Sequence, residues 1–193
     1  GYYERYMLSQ NPQSLALETA KKATGNIFLD NYVLDFLDVP DPMSEHDLQK
    51  SIIRNLKDFI LEIGKDFTFV GEEYRVQVGN HDFFIDLLFY HRGLSCLVAF
   101  ELKIGEFKPE YVGQINLYLE ALDREVKKEN ENPSVGIILC ASKDDEVVEF
   151  ALSRSLSPTM VAEYNLKLID KKLLQKKLKE YIELAKLTED ENA

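Results

Sequence analysis

Two neighbouring runs, Phe83-Phe84-Ile85-Asp86-Leu87-Leu88-Phe89-Tyr90 and Leu97-Val98-Ala99-Phe100-Glu101-Leu102-Lys103-Ile104, are apolar almost throughout and are interrupted only by charge. Runs of this kind read as strands in the middle of a sheet. His91-Arg92-Gly93 between them reads as a short hairpin turn joining Phe83–Tyr90 to Leu94–Ile104. An unpaired carboxylate in such a strand costs several kcal/mol, so Asp86 needs a partner. The second strand supplies one, because Glu101 and Lys103 are two residues apart and share a face. A turn at Arg92-Gly93 sets Asp86 opposite Ala99 and diagonal to Glu101, roughly 7–8 Å away at Cα.

Two carboxylates at that separation can close around a cation, and hard oxygen ligands completed by water suit Mg²⁺. The other reading of the three residues is an internal salt bridge of Lys103 with Asp86 or Glu101. Such a bridge needs one acid and one base, whereas this face carries two acids and one base.

Upstream, Ser44 is a good N-cap, with Glu45 and Asp47 in the first turn. Leu48, Ile52, Leu56, Phe59 and Ile63 then recur at helical spacing until Gly64. Lys50, Arg54 and Lys57 form a basic stripe on the polar side of that helix. Tyr74, Val76 and Val78 alternate with polar residues, as in a half-buried strand closed by Gly79-Asn80. Downstream, residues 110–127 read as a helix, 134–140 as a buried strand, 144–153 as a short helix and 160–166 as a strand. An amphipathic, Lys-rich helix over 169–187 ends the fold. The order α-β-β-β-α-β-α-β-α implies an α/β fold with a central mixed sheet flanked by helices. Residues 1–43, with weak helical stretches at 15–24 and 31–37 and two prolines at Pro40 and Pro42, read as a lead-in from a longer protein. The domain proper is expected at 44–187, and 188–193 as a frayed acidic tail.

The chain has 193 residues, 45% of them hydrophobic, which allows one core with an extra element or two. No apolar run is long enough to cross a bilayer and the start has no signal-peptide pattern, so a cytoplasmic protein without a membrane partner is expected. Cys96 and Cys140 lie in apolar runs and read as buried hydrophobes. His46, His81 and His91 have no metal-ligand spacing. The net charge of -11 weighs against unaided binding to nucleic acid.

Ile85-Asp86, a spacer, and Glu101-Leu102-Lys103 resemble the (P)D…(D/E)XK signature of the PD-(D/E)XK nuclease superfamily, with Ile85 in place of the proline. The words Asp-Leu-Leu-Phe-Tyr-His-Arg, Ala-Phe-Glu-Leu-Lys-Ile-Gly-Glu-Phe-Lys-Pro-Glu-Tyr and Gly-Gln-Ile-Asn-Leu-Tyr-Leu are similar to the nuclease domain of bacterial YhcG-like proteins. The resemblance implies a restriction-endonuclease-like core and a DNA nuclease acting in restriction, repair or recombination. It implies Mg²⁺, with Mn²⁺ able to substitute, bound by Asp86, Glu101 and the carbonyl of Leu102, while Lys103 positions or polarises the attacking water. Gln114 and Tyr118, four apart on a helix, resemble a further motif of the RecB-like branch. The superfamily often has an acid on its first helix near the metal, which points to Glu45, with Asp47 second; both also suit the helix dipole with no such role.

Lys50, Arg54 and Lys57, and Lys171, Lys172, Lys176, Lys177 and Lys179 on the last helix, are candidate DNA-backbone contacts, although charge runs are mostly solvated faces. An upstream helical domain or a homodimer would supply affinity that the acidic chain lacks. The competing function is a weakly catalytic nucleic-acid-binding or assembly module that keeps the nuclease fold.

Overall fold

The computed structural model describes residues 28–155, 157–167 and 171–190, the last helix with its side chains from 175 to 186. In chain order the elements are β1 (Asn31–Val33), α1 (Glu45–Arg54), α2 (Leu56–Ile63), β2 (Phe67–Val78), β3 (His81–His91), β4 (Cys96–Leu102), α3 (Glu110–Glu125), β5 (Asn132–Cys140), α4 (Asp145–Leu152), β6 (Thr159–Asn165) and α5 (Lys171–Asp190). The six strands form one mixed sheet in the order β1-β6-β5-β4-β3-β2. β2, β3 and β4 run antiparallel to their neighbours, and β4, β5, β6 and β1 are parallel. The expected α/β architecture is therefore present.

Ser44 caps α1 reciprocally: its hydroxyl accepts from the Asp47 N–H at 3.1 Å, and the Asp47 carboxylate accepts from the Ser44 N–H at 2.9 Å. Leu48, Ile52 and Phe59 of α1 and α2 pack with Leu87, Phe89, Phe100 and Leu102 on one face of the sheet. On the other face Ile115, Leu119 and Leu122 of α3 pack with Leu88, Ala99, Ile138 and Cys140. α3 lies directly on the β5 backbone, since a Cβ at Gly136 would stand 2.7 Å from Ile115 Cγ1. Both cysteines are buried and free.

Three expectations need correction. Residues 31–37 form a strand and a turn in place of a helix: β1 pairs with β6, and Tyr32, Leu34 and Leu37 enter the core, so the folded unit takes in part of the expected lead-in. Three residues of strand have too little local pattern to declare themselves, and pairing with β6 decides the conformation. The long first helix is interrupted at Asn55 (φ −116°, ψ 35°), whose side chain donates to the Ser51 carbonyl at 2.8 Å. β2 begins at Phe67, seven residues before Tyr74, its alternation masked by a register shift between Phe69 and Gly71. α5 runs to Asp190. The weak helix at 15–24 and residues 191–193 lie outside the described residues.

The β3–β4 turn also differs. It runs from Arg92 to Ser95 and holds Leu94 buried, with the Leu94 N–H donating to His91 Nδ1 at 3.1 Å. β4 consequently starts at Cys96 opposite His91, and Leu87 pairs with Phe100. The next position sets Asp86 opposite Glu101 itself, where the shorter turn had made them diagonal. A two-residue shift keeps every side chain on its face, so the acids still meet.

Candidate active site

The β3–β4 ladder ends at Leu87–Phe100, just short of the two acids. Beyond it the side chains along β3 change faces. Leu87 and Phe89 pack on the α1–α2 side, while Phe83 and Ile85 pack on the α3 side. Asp86 sits at that switch. Its Oδ2 accepts from the Leu102 N–H at 2.8 Å, and the Asp86 N–H in turn donates to Glu101 Oε1 at 3.4 Å. Each strand's carboxylate thus takes an amide of the other strand, in place of backbone rungs. On the opposite side β4 stays in register with β5 as far as Leu102–Leu139, and the Lys103 N–H donates to the Leu139 carbonyl at 2.9 Å. Alternate residues of a strand turn their amides to opposite sides, so Leu102 faces β3.

Glu101 is buried and Asp86 partly so. Burial first, and then the Asp86 charge beside it, push Glu101 up to about 9. Burial also raises Asp86, against the Leu102 N–H and the Lys103 charge, which both favour its ionised form. Lys103 lies with its side chain only 12% exposed, its Nζ 3.9 Å from Glu45 Oε1 and 4.5 Å from the centroid of the Tyr111 ring. Two carboxylates and one ammonium, all short of water, leave a surplus of negative charge when both acids ionise. The donor set is two acids with a backbone carbonyl of β4 beside them, and Glu45 stands at the rim. Among the described residues no group of three or more His, Cys, Asp or Glu side chains is arranged to hold a metal.

The expected residues divide as follows. Asp86, Glu101 and Lys103 come together, with Glu45 at Lys103. Asp47 is engaged in the α1 capping box. Tyr118 is buried, its hydroxyl accepting from Gln114 Nε2 at 3.0 Å; burial and then the Glu101 charge push its phenol up to about 12, so its oxygen stands within reach of the acids' field. Lys50 pairs with Glu72 at 3.4 Å, and the break at Asn55 puts Lys57 on a different helix from Lys50 and Arg54. Lys176, Lys177 and Lys179 are exposed on α5, and the side chains of Lys171 and Lys172 lie outside the described residues. His46 stands 4.0 Å from Glu73, while His81 is an exposed residue opening β3.

Three residues at the site escaped the sequence reading. Gln49 is buried and donates through Nε2 to the Asp86 carbonyl at 3.0 Å. Its signal was present, since it lies one helical turn from Glu45. Tyr111 belongs to the same helix face as Gln114 and Tyr118, at spacings of three and four. Tyr164, whose hydroxyl donates to the Lys103 carbonyl at 2.8 Å, had no local signal beyond strand alternation.

With this geometry in view, the YhcG PDDEXK nuclease domain family matches residues 25–179. The chain belongs to that family. It is 36% identical over 181 residues to the Escherichia coli (strain K12) protein named "Putative nuclease YhcG", a match that covers 92% of this chain and 48% of that protein. The chain therefore spans about half the length of this curated relative. Among solved structures it is similar to a repair endonuclease from Pyrococcus abyssi (19% identity, 65% of this chain and 46% of that chain, TM-score 0.42). An EndoMS-dsDNA2 complex is matched at 20% identity over 62% of this chain and 44% of that chain, with a TM-score of 0.44. In the described residues, no helix is long and apolar enough to cross a membrane. The family match opens upstream of β1, in accord with the core positions of Tyr32, Leu34 and Leu37.

Proposed function

We propose that this YhcG-type domain is a divalent-metal-dependent deoxyribonuclease that hydrolyses phosphodiester bonds with Asp86, Glu101 and Lys103 as its centre. The observation that carries the reading is the parting of β3 and β4, where a buried and a partly buried acid replace the ladder and stand beside a shielded lysine. A salt bridge alone would leave one of those acids uncompensated.

Mg²⁺, or Mn²⁺ in its place, fits the donor set: such ions take one or two carboxylates and keep several waters. Asp86, Glu101 and the Leu102 carbonyl would hold it, with Glu45 as a further donor once released from Lys103. When bound, the metal supplies Lewis acidity toward the phosphate and acidifies a water. The chain's own groups do the rest. Lys103 orients the attacking water and offsets charge that builds on the phosphate oxygens. Gln49 fixes the Asp86 backbone, and Gln114 keeps one amide hydrogen, beyond the one given to Tyr118, for a phosphate.

DNA is the proposed substrate and the cytoplasm the proposed site of action. Lys50, Arg54 and Lys57, with the α5 lysines, are the proposed backbone contacts. With a net charge of -11, the domain relies on an upstream helical domain or a second copy for tight binding. The same charge favours, as the second reading, an assembly module that retains the fold and turns over nothing.

The test is cleavage of linear, branched and single-stranded DNA with Mg²⁺ and Mn²⁺, using the chain alone and joined to the proposed upstream helical domain. Asp86→Ala, Glu101→Ala and Lys103→Ala are each expected to lower the rate by about 100-fold or more. Equal rates in all four proteins would sink the nuclease reading.

A further inference from the structure

We infer that Tyr111 and Tyr164 are positioning residues for Lys103, one holding its ammonium and the other its backbone at the end of β4. The inference rests on the proposed nuclease reading, and it adds two residues from separate elements that the sequence pattern did not single out.

Lys103 is the first residue past the end of β4, where a strand end would ordinarily fray. It is instead fixed at both backbone groups. Its N–H donates to Leu139 at 2.9 Å, and its carbonyl accepts from the Tyr164 hydroxyl at 2.8 Å. Tyr164 stands on β6, which pairs with β5 and not with β4. Its ring is buried in the core on the α1–α2 side, so the hydroxyl is delivered by a rigid body across the end of β5. The side chain is held independently. The Lys103 ammonium lies over the Tyr111 ring, 4.5 Å from its centroid, in the range of a cation–π contact. Tyr111 is itself set by the start of α3 and by Phe107, whose ring is 6.2 Å away edge-on.

A lysine has four rotatable bonds, and an untethered ammonium at a strand end samples many positions. Tyr111 holds the ammonium over its ring, and Tyr164 anchors the backbone from which the side chain departs. Glu45, at 3.9 Å and half exposed, is a looser partner. A misplacement of about 1 Å in a reacting group can reduce a rate by about 100-fold. Loss of either tyrosine contact should therefore lower kcat while leaving KM for DNA near its starting value.

The variants are Tyr111→Phe, Tyr111→Leu and Tyr164→Phe, each made in this chain. Tyr111→Leu removes the ring face and is expected to lower single-turnover cleavage by about 10- to 100-fold. Tyr111→Phe keeps that face and should restore most of the rate. Tyr164→Phe removes only the hydroxyl and should cost several-fold. An NMR readout is independent of cleavage: the Lys103 side-chain methylenes, assigned by their loss in Lys103→Ala, should be shifted upfield by the Tyr111 ring current in the wild type and in Tyr111→Phe. They should move to ordinary lysine values in Tyr111→Leu. Resonances that stay in place, or wild-type kcat in Tyr111→Leu and Tyr164→Phe, overturn the inference. If the wild type does not cut DNA, or Lys103→Ala cuts as fast, the nuclease reading fails while the methylene shifts still decide where Lys103 is held.

Discussion

The two ends of the β3–β4 ladder bury polar groups to opposite purposes. At the turn end His91 is buried, its Nδ1 accepts from Leu94, and its ring meets Phe67 edge-on at a centroid distance of 4.8 Å. One acceptor meets one donor, and the turn is fixed. At the other end Asp86 and Glu101 face each other with amides as their main partners. Burial favours the neutral form in both places: it lowers the His91 imidazole and raises Glu101 to about 9. The turn end is thus satisfied without an added charge, whereas the open end is satisfied only by a proton or a cation. Unmet charge is what makes the open end the candidate site and the turn end a structural polar contact.

The aromatic cluster packed around Phe100, in the ladder's last rung, carries neither burden, so breaking it should have the largest effect on stability. Phe100 is fully buried opposite Leu87, with the rings of Phe59, Phe67 and Phe89 at 5.8, 6.1 and 5.3 Å. Phe100→Ala should destabilise the domain by about 3–5 kcal/mol in urea unfolding. A loss under about 1 kcal/mol would mean that the aromatic cluster is not the centre of the fold.

The turn end comes next. His91→Ala removes the acceptor for Leu94 and the contact with Phe67, and should cost about 1–3 kcal/mol. The sign of the pH effect follows from the lowered imidazole. Its stabilising contribution is complete above the ordinary histidine value of 6.5 and is lost as pH falls through the lower folded value. Wild type should therefore weaken below about pH 6.5 more steeply than His91→Ala, as read by thermal midpoints across pH 4.5–7.5.

Much of this contrast was legible in the residues. Charges inside Phe83–Tyr90 and Leu97–Ile104 marked the open end without reference to any fold, because burial makes an isolated carboxylate conspicuous. The turn end was misread, since Leu94 looks like a strand residue when it is in fact a buried turn residue, and this displaced the register by two. β1 was hidden because only its partner β6 makes it a strand. Gln49 and Tyr111 were visible as helix-face neighbours of residues already chosen. Tyr164 was not, since its link to Lys103 spans 61 residues and crosses β5. Local pattern reveals which residues are anomalous; the partners that hold them come from tertiary contact.

The smallest expected effect carries the sharpest sign. Glu101→Gln keeps the shape of the side chain and removes its charge, so it should stabilise the metal-free protein where Phe100→Ala and His91→Ala both weaken it. Glutamate has an ordinary value of 4.5, and the fold raises Glu101 to about 9. A raised folded value means that its contribution is complete below about 4.5 and is lost as pH rises toward 9. In chelator the wild type should lose stability across that window, and Glu101→Gln should lose less. At pH 8 in chelator the thermal midpoint of Glu101→Gln should lie above that of the wild type. Adding Mn²⁺ should reverse the order if Glu101 is a ligand as proposed, because a cation that binds the folded state raises the wild-type midpoint by mass action. If Glu101→Gln is less stable than wild type in chelator at pH 8, the buried acid is compensated by groups within the fold, and the two ends of the ladder do not differ in kind.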